Sequence, residues 1–294
     1  MKPAPFDYHA PATLAEALSL KAQLGDDAKF LAGGQSLIPA MNFRVAQPAS
    51  LVDINPLTDL AFIRAEAGEL RLGALTRHRA LERDPLVRQH APLLHETMPH
   101  IAHPQIRNRG TLGGSLAHAD PAAELPVICV ALGGRLRAQS ARGERWIPAA
   151  EFFVSLFTTA LAPDELLAEA ALPALPPRTG TAFVEAARRH GDYAMLGAAA
   201  VVTLDEAGRV QAARLVFLNA GEGPVDARQA AAQLAGRPLT AETAAAAAAH
   251  AAAQEINPMG SVHASPEYQR HLARVLGRRA LQTAAARAQG ENGA

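Results

Sequence analysis

Two glycine-rich stretches hold residue types suited to binding an anion. The longer, NRGTLGGSLAHADPAAELP at residues 108–126, sets Gly110, Gly113 and Gly114 close together and closes on Asp120-Pro121. Glycine permits tight turns and close approach, and such a turn can leave amide hydrogens pointing outward toward an anion. The shorter, LAGGQS at residues 31–36, places Gly33-Gly34 after a short apolar run and adds the side-chain donors Gln35 and Ser36. Two such turns could grip one pyrophosphate. Gly-Gly pairs also occur in ordinary surface turns, so neither stretch alone separates phosphate binding from simple chain reversal.

Other chemistries find less support. No G-x-G-x-x-G follows a strand and no G-x-x-x-x-G-K-[ST] occurs, which removes the Rossmann dinucleotide site and the P-loop. His95, His100, His103 and His118 crowd the central region, but no two stand at i and i+4 on one helical face, as a helical metal site would need. Ser36 and Ser115 lie beside glycines without forming a G-x-S-x-G elbow, so their hydroxyls read as structural or phosphate-contacting groups. The single cysteine, Cys129 in LPVICVAL, can make neither an intrachain disulfide nor a cysteine-rich metal site, and is expected in the core.

The elements that must present these stretches follow from periodicity. Thr13 and Glu16 form a capping box for a helix that runs to Gly25. Residues 28–32 read as a strand delivering the chain into Gly33-Gly34, with a helical turn at Leu37, Ile38 and Met41. Residues 50–54 form another strand, and 61–66 with 69–74 a hairpin about Ala67-Gly68. Between Thr76 and Ile101 the spacing is helical in short pieces broken by Pro85 and Pro92. A buried helix over 122–133 braces the second stretch; strands follow at 135–139, 146–147 and 165–172. The Pro-rich ALPALPPRTGT marks a boundary. Strands at 182–188, 194–204 and 209–218 and helices at 226–234, 240–254 and 266–285 then predict an antiparallel sheet backed by helices, with Thr240 and Glu242 capping the alanine-rich helix.

Composition excludes several classes. A chain of 294 residues, 49% hydrophobic and 19% charged, can bury a substantial core over two domains. Lys plus Arg, 28, equals Asp plus Glu, 28, so no field attracts nucleic acid. Neither a signal-length apolar segment nor a run of about 18 apolar residues is present, which predicts a cytoplasmic protein with no integral membrane segment.

Three motifs in order, LAGGQSLIP, TLGGSLAHADPAAELP and RRHGDYAMLGAAA at residues 188–200, resemble the signatures of the FAD-binding medium subunit of the molybdenum hydroxylases, the xanthine dehydrogenase and carbon monoxide dehydrogenase family. The resemblance covers essentially the whole chain. It implies an α+β fold: an FAD-binding domain over 1–175, with PCMH-type α/β subdomains of about 1–58 and 59–175, then a C-terminal flavoprotein domain over 176–294 of antiparallel sheet and helices. It further implies FAD held by Ala32, Gly33, Gly34, Gln35 and Ser36 on one side. On the other side stand Thr111, Gly113, Gly114, Ser115 and Asp120, with Ala117 and Pro121 lining the same turn.

Tyr193 corresponds to an aromatic beside the isoalloxazine ring in relatives; as a residue it reads equally as a core aromatic at a strand start. Glu185 departs from the family pattern, standing where relatives carry lysine, which leaves a cationic contact there without its residue. Four thiolates are needed for an iron–sulfur cluster and this chain has one cysteine, so clusters must sit on another polypeptide. The lone cysteine also argues against the benzoyl-CoA reductase branch, whose similar subunit carries an inserted cluster. The implied assembly adds a large subunit with molybdopterin cytosine dinucleotide and a small 2Fe-2S subunit, in a dimer of heterotrimers. Electrons would pass from 2Fe-2S through FAD to an external acceptor, and no residue of this chain is assigned as catalytic. A structural or assembly subunit that keeps the fold, and a stand-alone flavin oxidase, are the alternatives.

Overall fold

In the computed structural model, which describes residues 1–290, the Thr13 hydroxyl accepts the Glu16 amide at 3.2 Å and starts the helix Leu14–Leu24. Gly25 ends it at φ 65°. The Glu16 carboxylate reaches the Ala12 amide (2.8 Å), one residue before the amide that a reciprocal capping box would use. Ala17 and Leu18 join Ala28, Val52 and Ile54 in a small core under a three-stranded sheet. In that sheet Ser50–Asp53 lies between Asp7–His9 and Ala28–Leu31, all parallel. Parallel neighbours finish at the same edge, so the loop after Leu31 and the turn after Asp53 emerge side by side. The last four positions of the 176–294 span lie outside the described residues.

A five-stranded antiparallel sheet follows, ordered Ile63–Glu66, Glu69–Gly73, Leu166–Pro173, Arg135–Ser140 and Gly143–Pro148. Ala67 and Gly68, at φ 50° and 77°, make the tight hairpin that the first pair requires. Within the central strand, buried Glu169 is paired by Arg71 and, at 2.9 Å, by Arg137. Pro85 and Pro92 begin the helices Pro85–His90 and Pro92–Thr97, because proline at the first helical position loses no hydrogen bond. The helix Glu124–Ala131 is buried along its whole length, and burial pushes the Cys129 thiol up to about 12.

The third sheet, Thr179–Ala187, Ala194–Leu204, Val210–Leu218 and Val225–Asp226, is antiparallel. One face packs Phe183, Val216 and Leu218 into the core that holds Leu125, Val127 and Ile128, so the helix Glu124–Ala131 is shared between two layers. The other face carries Pro266–Ala288 and, behind it, Ala241–Gln254, whose Ala244, Ala247, Ala248 and Ala251 form a shallow buried stripe. Thr240 caps that helix with Thr243, not with Glu242 as expected. The mixed helices and sheets are the α+β class expected. No described helix is long and apolar enough to cross a membrane.

Candidate functional site

The first glycine loop leaves its backbone donors unused. The amides of Gly33, Gly34, Gln35 and Ser36 donate to no protein acceptor among the described residues, and Gly34 turns the chain at φ 72°. Ala32, Gly33, Gly34 and Gln35 line a cleft of about 390 Å³ together with Asp53, Asn55 and Arg109. Ser36 stands exposed at the start of the helix Leu37–Asn42. Consecutive free amides beside a cation form a cradle for a phosphate oxygen.

The second stretch differs from expectation. It is not an open turn: Thr111 caps the helix Leu112–His118, and Gly113 and Gly114 lie in its first turn. Its amides are occupied, Leu112 by the Thr76 carbonyl (3.0 Å), Gly113 by that of Ala74 (2.8 Å), Gly114 by the Thr111 hydroxyl (3.2 Å) and Ser115 by the Thr111 carbonyl (3.1 Å). Gly113 is needed for packing, since a Cβ there would overlap that of Ala74. Thr111, Gly113 and Pro121 are buried, whereas Gly114, Ser115 and Asp120 are half-buried and Ala117 is exposed. The helix stops at Ala119, φ 51°, and the Asp120 carboxylate accepts the Ala122 amide at 2.9 Å.

The two stretches touch. A Cβ on Gly33 would overlap the Arg109 carbonyl oxygen and come within 2.9 Å of Gly110 Cα, and one on Gly114 would lie 3.7 Å from Ala32 Cβ. Arg77 ties them: it donates to the Arg109 carbonyl and, at 2.7 Å, to Asn55 Oδ1. Asn55 Nδ2 in turn donates to the Ala32 carbonyl at 2.8 Å and to Asp53 Oδ1 at 2.6 Å. Against its partial burial, hydrogen bonds from Tyr8 and Asn55 and the Arg77 charge hold the Asp53 carboxyl below the usual range. Sequence reasoning missed Asn55, Arg77 and Arg109. Arg109 was within the quoted stretch, but nothing local marks Arg77, whose partners are 22 and 32 residues away.

Arg77→Ala is expected to release both loops. A lost charged hydrogen bond costs about 1.5–3 kcal/mol, so FAD affinity should fall at least about tenfold. Titrating the flavin-free variant with FAD checks this, and an unchanged dissociation constant would remove Arg77 from the site.

Tyr193 is not a core aromatic: it is 71% exposed. Partial burial, then the carboxylates of Asp120 and Glu124, raise its phenol above the ordinary value. The third motif is joined to the end of the second stretch through Asn219, whose Nδ2 donates to the Ala194 carbonyl at 2.8 Å. An unanticipated hairpin, Phe153–Ser155 with Thr158–Thr159, borders the same place: the Phe157 amide donates to the Ala119 carbonyl at 3.2 Å and its ring centroid lies 5.1 Å from that of His118. Asn219 donates to the Pro121 carbonyl at 2.8 Å, joining the stretch to the C-terminal sheet.

Known proteins share this fold. A family model described as "FAD binding domain in molybdopterin dehydrogenase" matches residues 4–175, and one described as "CO dehydrogenase flavoprotein C-terminal domain" matches 181–284. The chain is 48% identical, over 98% of its length and 97% of the relative's, to the 6-hydroxypseudooxynicotine dehydrogenase complex subunit alpha of Paenarthrobacter nicotinovorans. Its structure superposes on a chain of the carbon monoxide dehydrogenase of Hydrogenophaga pseudoflava with a TM-score of 0.94 at 38% identity, covering 98% and 99% of the two chains. A chain of quinoline 2-oxidoreductase from Pseudomonas putida 86 gives 0.91 at 37% identity, covering 99% of each.

Proposed function

Since the chain belongs to the FAD-binding medium-subunit family of the molybdenum hydroxylases, we propose that it holds one FAD non-covalently and relays electrons from 2Fe-2S clusters on a partner subunit to an external acceptor. The observation that carries this is the row of free amides from Gly33 to Ser36 beside Arg109. Those amides, with Ala32 and Gln35, cradle the pyrophosphate. Ser115, Ala117 and Asp120 offer the second wall; Gly114 allows it to approach Ala32, while Thr111, Gly113 and Pro121 hold it in place. Bound FAD supplies the redox chemistry, accepting and releasing electrons singly or in pairs. The protein positions it, limits water and sets the local charge.

The partners on this reading are a large subunit carrying molybdopterin cytosine dinucleotide and a small 2Fe-2S subunit, assembled as a dimer of heterotrimers. Relatives named for 6-hydroxypseudooxynicotine, carbon monoxide and quinoline share this chain's fold, which supports placing substrate choice on the molybdenum subunit. The two matched family segments and the Pro-rich connection support the division into domains over 1–175 and 176–294.

Neither glycine loop, GGQS or TLGGS, holds a histidine or cysteine as a covalent tether, and the neighbouring His118 is half-buried against the Phe157 ring, so acid precipitation of the purified chain is expected to release one FAD per chain into the supernatant. A colourless chain would favour the structural-subunit alternative, and substrate turnover without partners the stand-alone oxidase. Tyr193→Ala is expected to change the flavin reoxidation rate while weakening FAD binding only modestly, since an aromatic stack adds about 0.5–1.5 kcal/mol beyond burial. Unchanged reoxidation with full flavin content would take Tyr193 out of the site.

A further inference from the structure

The pairing of Ala194–Leu204 with Val210–Leu218 ends at Gly197 and Leu218, so the carbonyls of Ala194 and Met195 lie beyond the ladder on that side. Side-chain amides continue it. Asn219 Nδ2 donates to the carbonyls of Ala194 (2.8 Å) and Met195 (3.2 Å), and Gln269 Nε2 to those of Met195 (2.9 Å) and Asn219 (3.0 Å). Gln269 lies fully buried near the start of the helix Pro266–Ala288, and its Oε1 accepts the Gly260 amide at 2.9 Å. Both ends of its side-chain amide are engaged, as burial requires. Asn219 turns the chain at φ 54°, a conformation that asparagine tolerates better than most residues, and there its own amide donates to the Pro121 carbonyl at 2.8 Å.

We propose that Asn219, held by Gln269, is the positioning residue that fixes Tyr193 relative to the second glycine stretch and so to the flavin. The reach to the flavin rests on the function proposed above; the clamp itself rests on the hydrogen bonds. One residue bonds both Pro121, at the end of the second stretch, and Ala194, the chain neighbour of Tyr193. The turn before Tyr193 is seated too: Gly191, at φ 87°, lies so close to the first domain that a Cβ there would overlap the His103 ring and come within 2.9 Å of the Ala102 carbonyl oxygen. The Tyr193 side chain is itself largely exposed, so its placement depends on the backbone fixed on either side of it.

The two side chains have the chemistry this work needs. An amide nitrogen carries two donors, and each of these two spends both on carbonyl oxygens. A carboxylate in either place would offer no donor and would set a charge against those oxygens. Gln269 acts one step back from Tyr193: it bonds Asn219 and Met195 and ties both to the loop at Gly260 that leads into its own helix. Groups that must meet a cofactor in a fixed geometry depend on such supporting hydrogen bonds, because a small displacement is felt strongly at the reacting centre.

The test follows flavin emission and amide hydrogen exchange in the full chain with bound FAD. A tyrosine against an isoalloxazine ring quenches its emission at short range, so Tyr193→Ala is expected to brighten the bound flavin. Asn219→Gly suits the left-handed turn but removes the donors, and Asn219→Asp keeps the size without an N–H. Each should recover most of that gain in emission and raise exchange of amides 192–196 at least about tenfold, as expected for the loss of two hydrogen bonds. Gln269→Met, of similar volume, should act in the same direction. In a Tyr193→Ala background Asn219→Gly should leave emission unchanged, whereas a merely structural role would shift it with or without the tyrosine. Wild-type exchange in both Asn219 variants overturns the clamp. Raised exchange with wild-type emission, or emission unchanged by Tyr193→Ala at full flavin content, overturns its reach to the flavin while FAD binding stands. A wild-type chain that carries no flavin overturns that reach and the proposed function together.

Discussion

Gly34→Val is expected to yield a folded chain without flavin. At φ 72° a β-branched residue is strained, by roughly 1–2 kcal/mol, and its side chain would stand in the loop whose free amides face the cleft. The nearest atoms, Ile38 Cγ1 at 3.2 Å and Leu31 Cδ1 at 3.3 Å, belong to flexible side chains that can yield. Gly113→Val should do the reverse. Its Cβ would overlap Ala74, so the expected loss is in stability, about 1–3 kcal/mol or more, with flavin lost only as the chain unfolds. Gly114→Val falls between, because its Cβ would come 2.6 Å from the Thr111 hydroxyl and open that cap. Flavin-to-protein ratio, circular dichroism and melting temperature separate the three. Stoichiometric flavin in Gly34→Val would remove the first loop from the site.

Glu124→Gln and His78→Gln are expected to give opposite pH profiles of stability. Burial pushes Glu124 up to about 7, so between about 4.5 and 7 the folded chain holds a proton that the unfolded chain has lost. Stability from this group is full below that window and falls as pH rises through it. Burial pushes His78, with Nδ1 buried and unpartnered, down to about 4, against its hydrogen bond to the Thr111 carbonyl and with the Arg107 and Arg77 charges adding to the fall. Here the unfolded chain gains a proton that the folded chain refuses, so stability is full above 6.5 and falls as pH drops toward about 4.

Each shift corresponds to about 3 kcal/mol, and in wild type the two slopes offset one another over the shared window. Glu124→Gln should therefore gain stability relative to wild type on going from about pH 5 to about pH 8, while His78→Gln should gain relative to wild type as pH falls. Urea unfolding at the two pH values measures both. Parallel profiles for wild type and Glu124→Gln would show that Glu124 ionises as an ordinary surface acid.

Much of the fold was legible because its signals are local. Thr13 and Gly25 bracket a helix by their own hydrogen bonding and φ, Ala67-Gly68 suits a tight hairpin, and the unbroken apolar run around Cys129 is a helix buried on every side. The strand Asp7–His9 escaped, since three residues of sequence DYH have no apolar alternation and are held by the parallel partner Ser50–Asp53. The hairpin around Phe157 escaped for a related reason: it is short, and it is positioned by the Ala119 carbonyl and His118.

The sequence by itself determined the α+β class, the two glycine stretches and, through its single cysteine, that no four-cysteine cluster can be built from this chain alone. Tertiary structure decided which glycines can face a ligand. Gly33 and Gly34 follow a parallel strand whose end leaves their amides free, whereas the amides of Gly113 and Gly114 are consumed by Ala74 and by the Thr111 cap. Glycine has low helix propensity, yet Leu112 and Leu116, four residues apart and both buried, hold that segment helical. Tertiary structure alone also brought together Arg77, Asn55 and Arg109, and His100 and Glu185. Side-chain hydrogen bonding acts across space and leaves no period in the chain, so these groups became visible only when the strands and helices carrying them were packed.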